Sequence, residues 1–468
     1  MALWKPDTSF YPSARMAMQA PPERHAYVAA LNPGEDGKPD AICVVDLDPD
    51  SDTYSEVVYQ LDLPNSGDEL HHFGWNACSS ALCPYAPHPH LERRYLVVPG
   101  IRSSRIYIID TKGDPRRPEI VKTLEPQEVI GKSGYSRPHT VHCGPDAIYV
   151  SAMGSKNGDD GPGGIFLLDH FNFDVTGPWE LHRGDQELAY DFWWHLAEDV
   201  LVSSEWGKPS QFEDGLVPED LLANKYGHRI HFWDLRRRRL QQTIDLGREH
   251  QMVLELRPAH DPTRQYGFAG VVINTEDLSA SIWAWSRDGE NGELWKMDKV
   301  ISIPAVAAEE DALPAALKPF KAVPPLVSDI DLSLDDRFLY VSCWGTGELH
   351  QYDVSDPFNP RLTGKVEIGG ILNRRGHPRA EGELLGAPQM VEISRDGRRV
   401  YFTNSLYSRW DDQFYPDGMR GWMVKVNVDP DGGMEIDPDF FVDFGSTRVH
   451  QVRLEGGDAS TDSYCYPS

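Results

Sequence analysis

Residues Ser333–Trp344, SLDDRFLYVSCW, followed by Glu348–Val354, ELHQYDV, decide the fold. The Asp pair is a turn signal, and the β-branched and aromatic runs that follow it read as consecutive antiparallel strands. The unit recurs in Ser394–Asn404, SRDGRRVYFTN, ahead of Trp422–Val428, WMVKVNV. Working outward, similar runs ending in an acidic or amide residue begin at Ile42, Arg105, Gly164, Arg229, Glu348 and Trp422, and a less faithful copy begins at Ser281. Most are preceded by a partner run: YLVVPG, IYVSAMG, VLVSSEW, YGFAGVV, FLYVSCW or VYFTNSL. Seven such meanders predict an all-β, seven-bladed β-propeller with long loop insertions. The expected organisation is one domain over residues 1–468, with an N-terminal extension over 1–20 and blades from about 21 to the end. A solenoid would need shorter repeats and capping segments. The Pro/Gly/Asp-rich stretches Gly154–Gly164, Lys208–Asn224, Ile303–Pro325 and Arg374–Gly386 read as insertions, and Ala308–Phe320 as a short helix on one of them.

Composition narrows the partners. The 45 basic and 73 acidic residues give a net charge of −28, which repels phosphate backbones and anionic lipid surfaces and argues against nucleic-acid or membrane binding. The basic run Arg236–Arg239 follows a strand-like segment and reads as a solvated turn. No apolar stretch is long enough to span a bilayer, and Pro, Asp and Arg interrupt the start of the chain, so the expected location is cytoplasmic, or periplasmic if a leader has been removed. The six cysteines are too sparse for a disulfide scaffold and are expected to be reduced, with Cys78 and Cys83 able to pair or to sit near a metal.

In a propeller the first strand of every blade lines the central channel, so equivalent positions converge. Counting back from the second strands places His72, His139, Asp191, Glu255, Asp329, Gln389 and His450 there. A water-filled polar channel accounts for such residues in general. The imidazoles add a metal site, because neutral imidazole suits copper, zinc and iron and ligands from separate blades can surround one ion. His71/His72 and His139/His142 form pairs, joined by His260 and His450. Along a strand, H-x-x-H turns its rings to opposite faces unless the strand bulges. His88 and His90 lie in a Pro-rich loop, His228 and His231 flank a strand, and His350 and His377 read as surface positions. There is no P-loop, no nucleophile elbow and no dinucleotide fingerprint. Cys78 reads as a buried structural thiol rather than a nucleophile.

The runs DELHHFGWNACSS, IRSSRIYIID, LAYDFWW, SLDDRFLYVSCW, LHQYDVSDPFNPRLTGKVEIGG, GAPQM, SLYSRWDDQFYP and FVDFG, spread from about Pro21 to Gly457, closely resemble the selenium-binding protein and methanethiol oxidase family. The resemblance implies a seven-bladed propeller that oxidises methanethiol with O2 and water to formaldehyde, hydrogen sulfide and hydrogen peroxide, with copper as cofactor. It places His71, His72, His139, His142, His260 and His450 on family-motif histidines as metal ligands, and Cys78 and Cys143 on motif cysteines. His195, His228, His231 and His350 fall outside those motifs. In this reading three or four histidines hold copper, and Glu255 or Asp329 accepts the substrate proton. Ser55 stands where animal members carry a cysteine proposed to bind selenium. The rival readings are a non-catalytic selenium-, metal- or ligand-binding scaffold and a propeller hydrolase built on a hard cation and carboxylates.

Overall fold

The computed structural model describes residues 5–33, 37–288 and 292–467. Among them, seven four-stranded antiparallel sheets form the blades of the expected propeller. Blade one takes its innermost strand, Arg448–Leu454, from the end of the chain and its other three, His25–Leu31, Ala41–Asp46 and Val57–Asp62, from the beginning. Val28 pairs with Val452 on one side and with Cys43 on the other, so backbone hydrogen bonds close the ring. Blades two to seven each use four consecutive strands. Their innermost strands are Gly74–Trp75, Tyr135–Cys143, Phe192–His195, His250–Pro258, Val327–Leu332 and Val391–Ile393.

The seven recurring runs are the third strands of the blades. Their terminal acid has a local cause. Asp46, Asp110, Asp169 and Asp353 each accept the backbone N–H two residues on, from Asp48, Lys112, Phe171 and Ser355, and so shape the turn to the outermost strand. Burial grades outward: His250–Pro258 is almost wholly buried, whereas every residue but one of the outermost strand Arg361–Glu367 is exposed or half-buried. Apolar side chains fill the spaces between neighbouring blades, as where Val97 and Ile108 of blade two meet Val141, Val150 and Phe166 of blade three.

Two expectations are corrected. Residues 308–320 form two separate 3-10 turns, Glu310–Ala312 and Lys318–Phe320, instead of a helix, since Pro314 and Pro319 interrupt the backbone donors a helix needs. Nor are all cysteines reduced: Cys83 is bonded to Cys465, while Cys43, Cys78, Cys143 and Cys343 are free and buried. The partner lies 382 residues away, out of reach of any local spacing argument.

That disulfide pins a C-terminal tail across one end of the channel. Ala459 N–H donates to Ile393 O of blade seven, Asp462 pairs with Arg93 of blade two, Ser463 accepts from Trp194 of blade four, and Tyr464 packs near His260 beside blade five. No helix among the described residues is long and apolar enough to cross a membrane.

Candidate metal centre

All seven channel positions are buried: His139, Glu255, Asp329 and His450 on the inner strands, and His72, Asp191 and Gln389 one or two residues ahead of theirs, are at most 3% exposed. In blade three the pairing slips between Pro138 and Val141. Such a bulge re-aims side chains, and both imidazoles of the pair find buried partners: His139 lies against His72 and Tyr190, and His142 against Trp193 and Asp191.

Away from the tail, four histidines meet. The ring centroids of His71 and His450 are 3.5 Å apart, those of His72 and His139 4.0 Å, and those of His71 and His72 5.0 Å. One ring nitrogen from each of His71, His72 and His450 lies within 4.8 Å of the other two. Two successive carbonyls of the loop before the helix Ser408–Phe414 set the tautomers. His71 Nε2 donates to Leu406 O at 2.9 Å, which leaves the lone pair on Nδ1, facing His139 Nε2 at 2.8 Å. His450 Nδ1 donates to Ser405 O at 2.7 Å, which leaves the lone pair on Nε2. Carbonyl partners of this kind orient ligating imidazoles and fix which nitrogen faces a metal. His450 Nε2 and His72 Nε2 are buried and accept no hydrogen bond among the described residues. Burial pushes His71 down to about 3, and burial with the neighbouring imidazoles holds His72, His139 and His450 well below the ordinary range. The four rings are therefore neutral, the form that ligates metals.

Next along the channel comes a carboxylate layer around one guanidinium. Glu255 Oε1 lies 3.6 Å from His72 Nε2 and accepts no hydrogen bond. Burial, aided by the charge of Asp191, pushes Glu255 up to about 8. Asp329 is also raised, by burial and by Glu255, but both its oxygens are engaged: Oδ2 accepts Val391 N–H at 2.7 Å and Oδ1 faces Arg257 Nη2 at 3.3 Å. Arg257 further contacts Glu255 at 3.2 Å, Asp331 at 3.2 Å and Asp191 at 3.6 Å. Both polar side-chain atoms of Gln389 lack partners among the described residues.

Of the histidines singled out in the sequence, His71, His72, His139 and His450 come together. His142 lies one layer deeper, with Nε2 3.5 Å from Asp191. His260 belongs to the tail end, where Nε2 bonds Leu332 O. His350 and His377, expected at the surface, are instead buried: His350 sits in a central strand of blade six with Nε2 bonded to Glu348, and His377, in a loop, bonds Asp437 O through Nε2 and stacks on Phe441. Cys78 sits at the tail end, where its Sγ donates to Cys143 O at 3.0 Å. Tyr190 and Tyr407, whose rings lie 4.4 Å from His139 and 5.9 Å from His71, stand in the runs LAYDFWW and SLYSRWDDQFYP but were not singled out as site residues, nor was Arg257. Tyr190 directly precedes a channel position, which is the signal that could have marked it.

Neutral imidazoles, with carbonyl-fixed tautomers at His71 and His450 and unpartnered nitrogens at His72 and His450, fit a copper or zinc ion; a hard cation would ask for more oxygen.

Comparison with known proteins bears on this site. The family model described as 56kDa selenium binding protein (SBP56) matches residues 4–465. A protein of Xenopus laevis named methanethiol oxidase is 40% identical over 478 residues, spanning 97% of each chain. Selenium-binding protein 2 of Mus musculus is 38% identical over 479 residues, again 97% of each. The X-ray structure of a hypothetical selenium-binding protein from Sulfolobus tokodaii is 62% identical and superposes with a TM-score of 0.95, covering 98% of this chain and all of that one.

Proposed function

Because the chain belongs to the 56kDa selenium binding protein family, we propose that it is a methanethiol oxidase whose copper is held by His71, His72 and His450, with His139 bonded to His71 and Thr140 beside them. The observation that carries this reading is the pair of buried, unpartnered Nε2 atoms of His72 and His450 beside the carbonyl-fixed ring of His71. The reaction balances with one molecule each of methanethiol, O2 and water giving one each of formaldehyde, hydrogen sulfide and hydrogen peroxide. The methyl carbon loses two electrons to O2, the C–S bond breaks, and water supplies the oxygen of formaldehyde. Copper bound there supplies a soft Lewis acid for the thiolate and a path for electrons to O2.

The protein's own groups do the rest. Glu255, whose Oε1 has no partner among the described residues and lies beside His72, takes the thiol proton at that oxygen only in its ionised form, so with its pKa pushed up to about 8 this step is favoured at alkaline pH. Asp329 and Asp191, tied to Arg257 and to backbone N–H groups, hold the guanidinium that balances Glu255. Tyr190 and Tyr407 wall the histidines from water. His142 and His260 serve outside the ligand set. Selenium binding through the position of Ser55 is not part of the proposal, since that side chain bonds the backbone of Phe441 through both its donor and its acceptor and has no thiol.

The test is the copper-loaded protein given methanethiol in an oxygen electrode. Hydrogen sulfide, formaldehyde and hydrogen peroxide are expected to form in equal amounts, one of each per O2 consumed. Full copper loading without O2 uptake would overturn the oxidase reading in favour of a binding scaffold.

A further inference from the structure

The insertion Lys208–Asn224 belongs to blade four but lies over the histidines, and contacts from three other blades fix it there. Arg137, at the start of the inner strand of blade three, pairs with Glu213, with Nη2 3.2 Å from Oε2. Arg102 of blade two donates to Glu213 O. From blade seven, Trp410 Nε1 donates to Phe212 O at 3.0 Å, and Gln413 accepts Leu216 N–H at 2.8 Å. One loop is thus held across the channel mouth.

Trp206, just ahead of this insertion, fills the space beneath it. Its indole stacks on Phe212 at 4.6 Å and lies 5.7 Å from Trp410. On the channel side it is bracketed by Tyr190 at 5.5 Å and Tyr407 at 6.4 Å, the two rings that rest on His139 and His71. Trp206 is 4% exposed, and its N–H has no acceptor among the described residues.

We propose that Trp206 is the specificity-determining residue of the histidine site, a plug carried under the blade-four lid that admits short alkyl thiols and excludes longer ones. The size selection rests on the oxidase reading; the plug itself does not. One methylene against an apolar wall is worth about 10–200-fold in kcat/KM, so the indole, packed behind the Tyr190 and Tyr407 rings that rest on the histidines, sets a steep penalty on each added carbon.

Two measurements test it. In the metal-free protein, carbethoxylation of His72 and His139 by diethyl pyrocarbonate, read by peptide mass spectrometry, reports access without any need for activity. Trp206→Ala is expected to raise the rate about tenfold or more, equivalent to about 1.4 kcal/mol, while Trp206→Phe keeps it near wild type. Glu213→Gln, which loosens the lid and leaves the buried core intact, is expected to raise it as well and serves if Trp206→Ala does not fold. In the copper-loaded enzyme, Trp206→Ala is expected to narrow the preference for methanethiol over propanethiol by about tenfold or more, and Trp206→Phe to retain it. Unchanged labelling in both Trp206→Ala and Glu213→Gln overturns the plug, whatever the wild type oxidises. Faster labelling with an unchanged thiol preference overturns the specificity role. A wild type that oxidises no thiol defeats the oxidase reading and the size selection together, and the labelling arm still decides the plug.

Discussion

Replacing His450 by alanine is expected to empty the protein of copper and abolish thiol-dependent O2 consumption. His450 is wholly buried, its Nδ1 is committed to Ser405 O, and its Nε2 has no partner among the described residues. Losing an outer partner of a metal ligand costs about 10–100-fold in affinity or activity; losing a ligand costs more. The imidazole is also in contact with His71, with centroids 3.5 Å apart, so its removal leaves the second nitrogen donor less constrained. Copper per chain, measured after dialysis against a weak chelator, is the readout. His142→Ala is the control, since that ring faces Asp191 and Trp193 and its loss is expected to leave copper bound. Full copper retention in His450→Ala would exclude His450 from the ligand set.

The largest expected effect on stability is at Arg257. This guanidinium is buried among Asp191, Glu255, Asp329 and Asp331, all within 3.6 Å. Arg257→Met keeps most of the side-chain volume and removes the charge, which leaves four carboxyls in low dielectric with no counterion. Breaking a buried pair in this way costs about 3–5 kcal/mol. The deficit depends on pH with a definite sign. All four carboxyls are raised in the folded protein, Asp191 to about 6 and Glu255 to about 8, and without Arg257 they rise further. Below about pH 4, where unfolded carboxyls are also protonated, the variant loses little. Its deficit grows as pH rises toward 8, because folding must then retain protons that the unfolded chain releases. Denaturant midpoints at pH 4 and pH 8 check this; an equal loss at both would contradict it.

The ring of blades was legible because a propeller repeats its punctuation: an acid at the end of the third strand shapes the same turn in four of the seven blades, as at Asp46 and Asp353. The channel residues followed from that register, since one inner-strand position per blade must face the axis. What could not be read depends on contacts between distant segments. The Cys83–Cys465 bond spans nearly the whole chain. The carbonyls of Ser405 and Leu406 carry no side-chain signature, yet they decide which nitrogens His450 and His71 present. His142 and His260 shared the motif character of the other four; His142 is separated by its place farther along the strand that carries His139, and His260 by lying beyond the end of the blade-five inner strand. His350 and His377 were misplaced at the surface because short polar runs do not reveal the strands that cover them.

Direct observation of the atoms around copper in the resting protein is the most immediate test of the histidine centre. X-ray absorption at the copper edge should show imidazole nitrogens, three or four of them, with no sulfur neighbour, and the signal should vanish when His71, His72 and His450 are replaced together. Sulfur scattering from a cysteine such as Cys78, or copper that persists in the triple variant, would contradict it.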